Sequence, residues 1–195
     1  IVPLPSSEAL PSPSQNLFLP SSTSLSLGGK GVNQALAAAA LSTTPVHFVG
    51  QVGDDLFGNF AKSAIAEAPA SLASAKIKTL VSSTGTGVVF VPPNGDCSAV
   101  VALGANYDWP SELDIELPAD CQCVLLQCEV PPHVNIAVAT LAKERNIPVL
   151  LDCGGIHDPA QLPDALIVLS DAISPNKEEL NTITGEEDAT TGAES

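Results

Sequence analysis

The apolar positions of this chain fall into short runs that alternate between two periods. Ala35-Leu36-Ala37-Ala38-Ala39-Ala40-Leu41 is a run of strong helix formers, stopped near Ser42-Thr43-Thr44-Pro45. Val46-His47-Phe48-Val49 predicts a short buried strand, and Gly50 to Gly58 a loop that opens a second helix toward Ala68. Val88-Val89-Phe90-Val91 and Ser98-Ala99-Val100-Val101-Ala102-Leu103 flank the turn Pro92-Pro93-Asn94-Gly95-Asp96, which predicts a hairpin. A strand at Cys123–Gln127, a helix at Val134–Asn146 and a strand at Pro148–Asp152 follow. Leu166–Leu169 reads as a short helix or turn, Ala172–Ser174 as a further strand and Lys177–Thr184 as a helix.

Strands that alternate with helices predict a parallel sheet wrapped by helices. The hairpin stands outside that alternation and is expected to form an appended lid. Residues Ile1 to Leu27 are rich in Ser and Pro, which by composition predicts a loop or tail with room for edge strands at its short apolar pieces.

The segment Gly28-Gly29-Lys30-Gly31-Val32-Asn33-Gln34 leads into the alanine-rich helix. A helix start offers unpaired N–H groups, and glycine lets a ligand approach the backbone closely. Lys30 adds a cation and Asn33 an amide that both donates and accepts, a combination suited to a small oxygen-rich molecule. A plain turn and cap is the alternative reading. The segment is not a Walker A loop, because Gly31 follows Lys30 where Ser or Thr is required. Gly50-Gln51-Val52-Gly53 lacks the third glycine of a dinucleotide fingerprint. In parallel sheets ligands collect at the carboxyl ends of strands, where Glu129, Asp152 and Pro175-Asn176-Lys177-Glu178-Glu179 all fall. Acidic residues after strands also cap helices or face water, so each alone decides little.

Composition narrows the field. The 195 residues suit one domain, and with 45% apolar and 15% charged residues they favour a packed core over disorder. Acidic residues outnumber basic ones 22 to 7, a formal charge of −15, which argues against nucleic acid or anionic membrane as a partner. Arg145 is the sole arginine, so a bound nucleotide would depend on a metal ion and backbone N–H groups for neutralisation. No apolar run is long enough to span a bilayer. The five cysteines (Cys97, Cys121, Cys123, Cys128 and Cys153) lack the Cys-x-x-Cys pairs of structural zinc sites. They are expected to be buried, reduced thiols, with Cys121 and Cys123 on one face of a strand.

Six ordered segments resemble the ribokinase branch of the PfkB carbohydrate kinases: Gly28 to Gln34, Gly50 to Gly58, Thr84-Gly85-Thr86-Gly87, Gly104-Ala105-Asn106, Leu126-Gln127-Cys128-Glu129, and Ser174-Pro175-Asn176-Lys177-Glu178-Glu179-Leu180. Leu150-Leu151-Asp152-Cys153-Gly154-Gly155 is most similar to plant and algal members. The resemblance covers nearly the whole chain. It implies a doubly wound α/β domain, with a mostly parallel sheet flanked by helices and a small β-sheet lid. Residues 1–195 would form one partial domain of this kind, with lid strands within 1–27 and 84–103. This revises the loop reading of the opening segment.

By that resemblance the activity is transfer of the ATP γ-phosphate to a sugar hydroxyl, with Mg²⁺ as cofactor. Gly29, Lys30, Gly31, Val32 and Asn33 would contact the sugar, Lys30 and Asn33 through their side chains. Glu129 would accept from a sugar hydroxyl, and Gly87 would lie on the lid strand covering it. Asn176 would sit near the ATP phosphates, and Glu179 would help hold Mg²⁺ through water. A homodimer paired through the lids is also implied.

Two features of the family are not found among these residues. A first strand carrying an Asn and an Asp for the sugar would precede Ile1. A Gly-x-Gly-Asp motif, whose Asp is the general base and whose N–H groups form an anion hole, would follow Ser195, as would the adenine and monovalent-cation sites. The expectation is therefore an internal fragment that has no catalytic base and is inactive alone. Alternatives are another PfkB kinase, acting on fructose or a nucleoside, or a non-catalytic sugar-binding remnant. A cytoplasmic location is expected, or a plastid one if a transit peptide precedes residue 1.

Overall fold

The helix expected after the glycine turn begins five residues early. In the computed structural model, which describes residues 1–4, 14, 16, 18–19, 22–68, 72–156 and 158–185, helix α1 spans Lys30–Leu41. Gly28-Gly29 alone forms the turn, and Lys30 to Gln34 make the helix's first turn and a little more. Gly29 is the N-cap at φ 101°, a conformation that only glycine adopts without strain. Val32, Ala35 and Ala39 form the buried stripe, at the spacing of one helix face.

Strand β1 (Val2–Pro3) is followed, beyond α1, by β2 (Val46–Gly53), α2 (Leu56–Ala66) and β3 (Leu72–Leu80). Strand β2 runs on through Gly53, into the segment expected to be a loop, and its buried part is Gln51-Val52-Gly53 rather than Val46 to Val49. Strand β3, which the apolar pattern did not reveal, pairs with β2 in parallel. The lid hairpin is as expected: β4 (Thr86–Val91) and β5 (Ser98–Ala102) are antiparallel. Strand β1, within the Ser/Pro-rich opening, adds to β4 in parallel. Most of that opening lies outside the described residues.

The second half is built from β6 (Val124–Gln127), α3 (Pro132–Glu144), β7 (Val149–Asp152), α4 (Asp164–Leu169), β8 (Ala172–Ser174) and α5 (Lys177–Thr184). Strands β6, β7 and β8 pair in parallel in that order, with Gln127 opposite Asp152 and Asp152 opposite Ser174. Among the described residues the parallel strands pair as β2-β3 and as β6-β7-β8. Helix α1 contacts both.

The main core lies around β6 and β7, where Val124, Leu126, Ala139, Ala142, Val149, Leu151 and Leu166 pack together. Burying each Val or Leu among them contributes roughly 1.5–3 kcal/mol. Arg145 closes α3 and donates to the carbonyls of Leu117, Pro118 and Ala119 at 2.8–3.0 Å, so the sole arginine holds a loop in place. Among the described residues, no helix is long and apolar enough to cross a membrane.

The Asp55 carboxylate links the start of the hairpin to the body. Asp55 caps α2 by accepting from the Gly58 N–H at 2.7 Å, and it also accepts from the Thr84 N–H at 2.8 Å and the Thr84 hydroxyl at 2.6 Å. These donors, the Thr84 hydroxyl foremost, hold the Asp55 carboxyl below the usual carboxylate range. The Thr84 Oγ1 accepts in turn from the Gly53 N–H at 2.9 Å. Beyond the end of β5, the carbonyl oxygens of Ala105 and Asp108 accept from the buried Gln51 amide of β2 at 3.1 Å and 3.3 Å.

The thiols are more varied than expected. Cys128 and Cys153 are buried, but Cys97 and Cys123 are exposed and Cys121 is half-buried. Cys121 and Cys123 both precede β6, so they share no strand face.

Candidate functional site

The carboxyl ends of β6, β7 and β8 and the start of α1 meet at one edge of the molecule. Glu129 follows β6 by two residues, and its Oε2 accepts from the Lys30 backbone N–H at 2.8 Å. A carboxylate at a helix N-terminus is favoured both by the unpaired N–H and by the helix dipole. The two segments joined this way are 99 residues apart in the chain.

A chain of amides holds the arrangement from behind. The buried Asn135 of α3 donates to the Gln127 carbonyl at 2.7 Å, at the last residue of β6. The Gln127 side chain donates to the Gln34 side-chain oxygen on α1. Helix, strand end and second helix are thereby locked together around the Lys30–Glu129 contact. Asn135 was not singled out from the sequence. Its signal was a lone amide among the apolar residues of a helix, a common pattern that by itself says little.

Asp152 ends β7 and accepts from the Gly154 N–H at 2.7 Å. The Lys30 stem runs across Gly154, while Glu129 lies against Gly155. One strand further along the same edge, Asn176 and Glu179 form a reciprocal cap on α5. The Glu179 N–H donates to Asn176 Oδ1, and the Asn176 N–H donates to Glu179 Oε2, each at 2.9 Å. Glu179 is buried at 8% exposure.

Beneath this edge lie the two buried thiols. Burial pushes Cys128 up to about 12, helped by Cys153, Asp152 and Glu179. Burial pushes Cys153 up to about 11, helped by Glu179 and Asp152. The Asp152 and Glu179 carboxylates therefore act on the same small region.

The structure places these residues as follows. Gly29, Lys30, Gly31, Val32 and Asn33 cluster at the α1 start, and Glu129 joins them directly. Lys30 and Asn33 are exposed, whereas the Val32 side chain is buried in the core, which leaves only its backbone for a ligand. Asn176 and Glu179 pair with each other on the neighbouring strand end. Gly87 lies on β4, opposite Val101.

The sequence model of the pfkB family carbohydrate kinases matches residues 6–194. The chain belongs to the pfkB family of carbohydrate kinases. Among curated relatives, ribokinase of Arabidopsis thaliana is 36% identical over 163 residues, covering 81% of this chain and 42% of its own length. Ribokinase of Haemophilus influenzae is 36% identical over 170 residues, covering 84% of this chain and 53% of its own. The chain therefore spans about half the length of these pfkB relatives, or less.

The solved structure of Arabidopsis thaliana ribokinase complexed with ribose and ATP superposes with a TM-score of 0.74 at 31% identity, over 96% of this chain and 62% of that one. These similarities establish the ribokinase-like α/β fold of the family for this chain.

An oxygen-donor site for Mg²⁺ fits the residues present. Asp152 ends β7 and Glu179 lies in the first turn of α5, after β8; both would offer hard oxygen donors, and magnesium takes one or two carboxylates while keeping several waters. Among the described residues no group of three or more His, Cys, Asp or Glu could hold a metal ion. Any Mg²⁺ here would thus take its remaining ligands from water or from groups outside these residues.

Proposed function

We propose that the full-length protein carrying this chain is a ribokinase, which transfers the γ-phosphoryl group of ATP to the terminal hydroxyl of ribose. The observation that carries the reading is the Lys30–Glu129 contact, which sets a cation, a carboxylate and the glycine-turn backbone around one exposed spot. Alternating donors and acceptors suit a polyhydroxylated sugar, because each sugar hydroxyl both donates and accepts.

In this reading Gly29, Gly31 and Val32 present backbone groups to the sugar, and Lys30, Asn33 and Glu129 present side chains. Asn176 stands toward the ATP phosphates. Mg²⁺, when bound, offsets the charge that develops on the phosphoryl oxygens. Glu179 would take part in holding it, through water, since one of its oxygens is already engaged by the Asn176 N–H. Phosphoryl transfer depends on positioning and charge neutralisation more than on covalent help, and that agrees with a site built of caps and strand ends.

Residues 1–195 contain no Gly-x-Gly-Asp segment. The 195-residue chain by itself is therefore proposed to give no turnover. The lid's apolar residues Val88, Val100 and Val101 are exposed at 47%, 66% and 61%, which supports a homodimer in which lids pair. The proposed compartment is the cytoplasm, or a plastid where a transit peptide precedes residue 1.

A substrate panel with Mg-ATP on the full-length protein tests the reading, using ribose, fructose and adenosine. Ribose phosphorylated with the highest kcat/KM is the expected result. A clear preference for fructose or adenosine would move the assignment within the family, and no phosphorylation of any of them would overturn it.

A further inference from the structure

We infer that Gly154 is a positioning residue for the sugar site, acting as the seat on which the Lys30 side chain lies, with Gly155 doing the same for Glu129. This rests on the pocket reading above and deepens it.

At these two glycines the close neighbours are Lys30 and Glu129 themselves. A Cβ on Gly154 would stand 2.4 Å from Lys30 Cδ, 2.8 Å from Lys30 Cε and 2.7 Å from Asp152 Oδ1. A Cβ on Gly155 would stand 2.9 Å from Glu129 Cγ, and Gly155 also has φ +97°, where side chains are strained. Real Cβ atoms do not come this close to a neighbour, so any side chain at either position must push its neighbour aside. The neighbours are the side chains of two residues already linked by the Lys30 backbone N–H, which donates to Glu129 Oε2 at 2.8 Å. Two consecutive glycines from the loop after β7 thus form one wall for a pair contributed by α1 and the end of β6.

What makes Gly154 a positioning residue rather than a packing one is the nature of its neighbour. Two of the three closest atoms belong to the outer part of Lys30, a long, flexible side chain that can swing to another rotamer at little cost to the fold. Gly154 itself is buried, whereas Lys30 is exposed. A methyl group at position 154 therefore shifts the cation without opening a cavity. Asp152 limits the alternatives: its Oδ1 already accepts from the Gly154 N–H at 2.7 Å, so it blocks part of the space on that side.

A double-mutant cycle on the full-length protein separates these roles, with ribose affinity read by calorimetry and ATP affinity read alongside. Gly154→Ala is expected to weaken ribose binding by about tenfold in the parent, and by less than about twofold in a Lys30→Ala background. ATP affinity and the thermal midpoint are expected to stay close to the parent's. An equal loss of ribose affinity in both backgrounds, no loss in either, or a matching loss of ATP affinity would overturn the seat. If Lys30→Ala alone leaves ribose affinity unchanged, the pocket reading falls as well. If Gly154→Ala alone does not fold, the double variant decides: recovery of folded protein once the Lys30 stem is removed supports the seat, and a double variant that stays unfolded overturns it.

Discussion

The Lys30 backbone N–H donates to the Glu129 carboxylate at 2.8 Å, closing a contact between the first turn of α1 and the loop after β6. Glu129 thereby has two tasks: it caps an open helix start, and it stands as an acceptor beside the exposed Lys30 and Asn33. Glu129→Ala removes both. A hydrogen bond to a charged group contributes about 1.5–3 kcal/mol, so ribose affinity in the full-length protein is expected to fall by about 10- to 100-fold. Glu129→Gln keeps an oxygen for the Lys30 N–H and is expected to lose less. Calorimetry on the two variants checks the order; equal affinity for parent and Glu129→Ala would contradict it.

Asp55 gives the lid anchor a pH dependence with a defined sign. Its carboxyl is held low in the folded chain by the Thr84 hydroxyl and N–H and the Gly58 N–H. Its contribution is therefore fully present above the unfolded carboxylate value of about 3.9, and is lost as pH falls through the lower folded value. Asp55→Asn should flatten this acid dependence, and Thr84→Ala should lower the thermal midpoint by several degrees. Thermal melts from pH 7 down to pH 3 test both. An acid limb unchanged in Asp55→Asn would show that other groups control it.

The thiols are expected to divide by burial. Cys97, Cys121 and Cys123 should react with a thiol reagent at pH 8 in the native chain, while Cys128 and Cys153 should react only after denaturation. Because burial raises both buried thiols above the unfolded value of about 8.5, the unfolded chain loses those protons first, and stability should decline as pH rises past that value. Counting labelled cysteines by mass spectrometry checks the division. Prompt native labelling of Cys128 or Cys153 would contradict the packing around β6 and β7.

Lid pairing is tested at the exposed valines. Val88 and Val100 face each other across the hairpin, and both are open to solvent. In the full-length protein, Val88→Asp with Val100→Asp is expected to convert a dimer to a monomer in sedimentation. A parent that sediments only as a monomer would contradict the lid-paired dimer.

Much of this architecture could be read from residue order, and the failures have physical causes. The hairpin, the β6-α3-β7 unit and the strand-end positions of Glu129, Asp152 and Asn176 followed from period and turn chemistry. The start of α1 was misjudged because Gly31 and Asn33 are weak helix formers, yet Gly29 caps the turn and Glu129 arrives from 99 residues away to satisfy its N–H. Strand β3 was missed because Lys76, Lys78 and Thr79 make it polar, and its pairing with β2 supplies what its side chains do not. The wall formed by Gly154 and Gly155 was invisible for a similar reason. A glycine pair after a strand looks like a turn until the Lys30 stem is seen lying across it.

The most direct test of the central claim is ribose binding by the full-length protein with Lys30, Asn33 and Glu129 all replaced by alanine, measured by calorimetry beside the parent. The account predicts that ribose affinity falls by more than about 100-fold while ATP affinity is kept. Ribose affinity equal to the parent's would contradict it and place the sugar elsewhere.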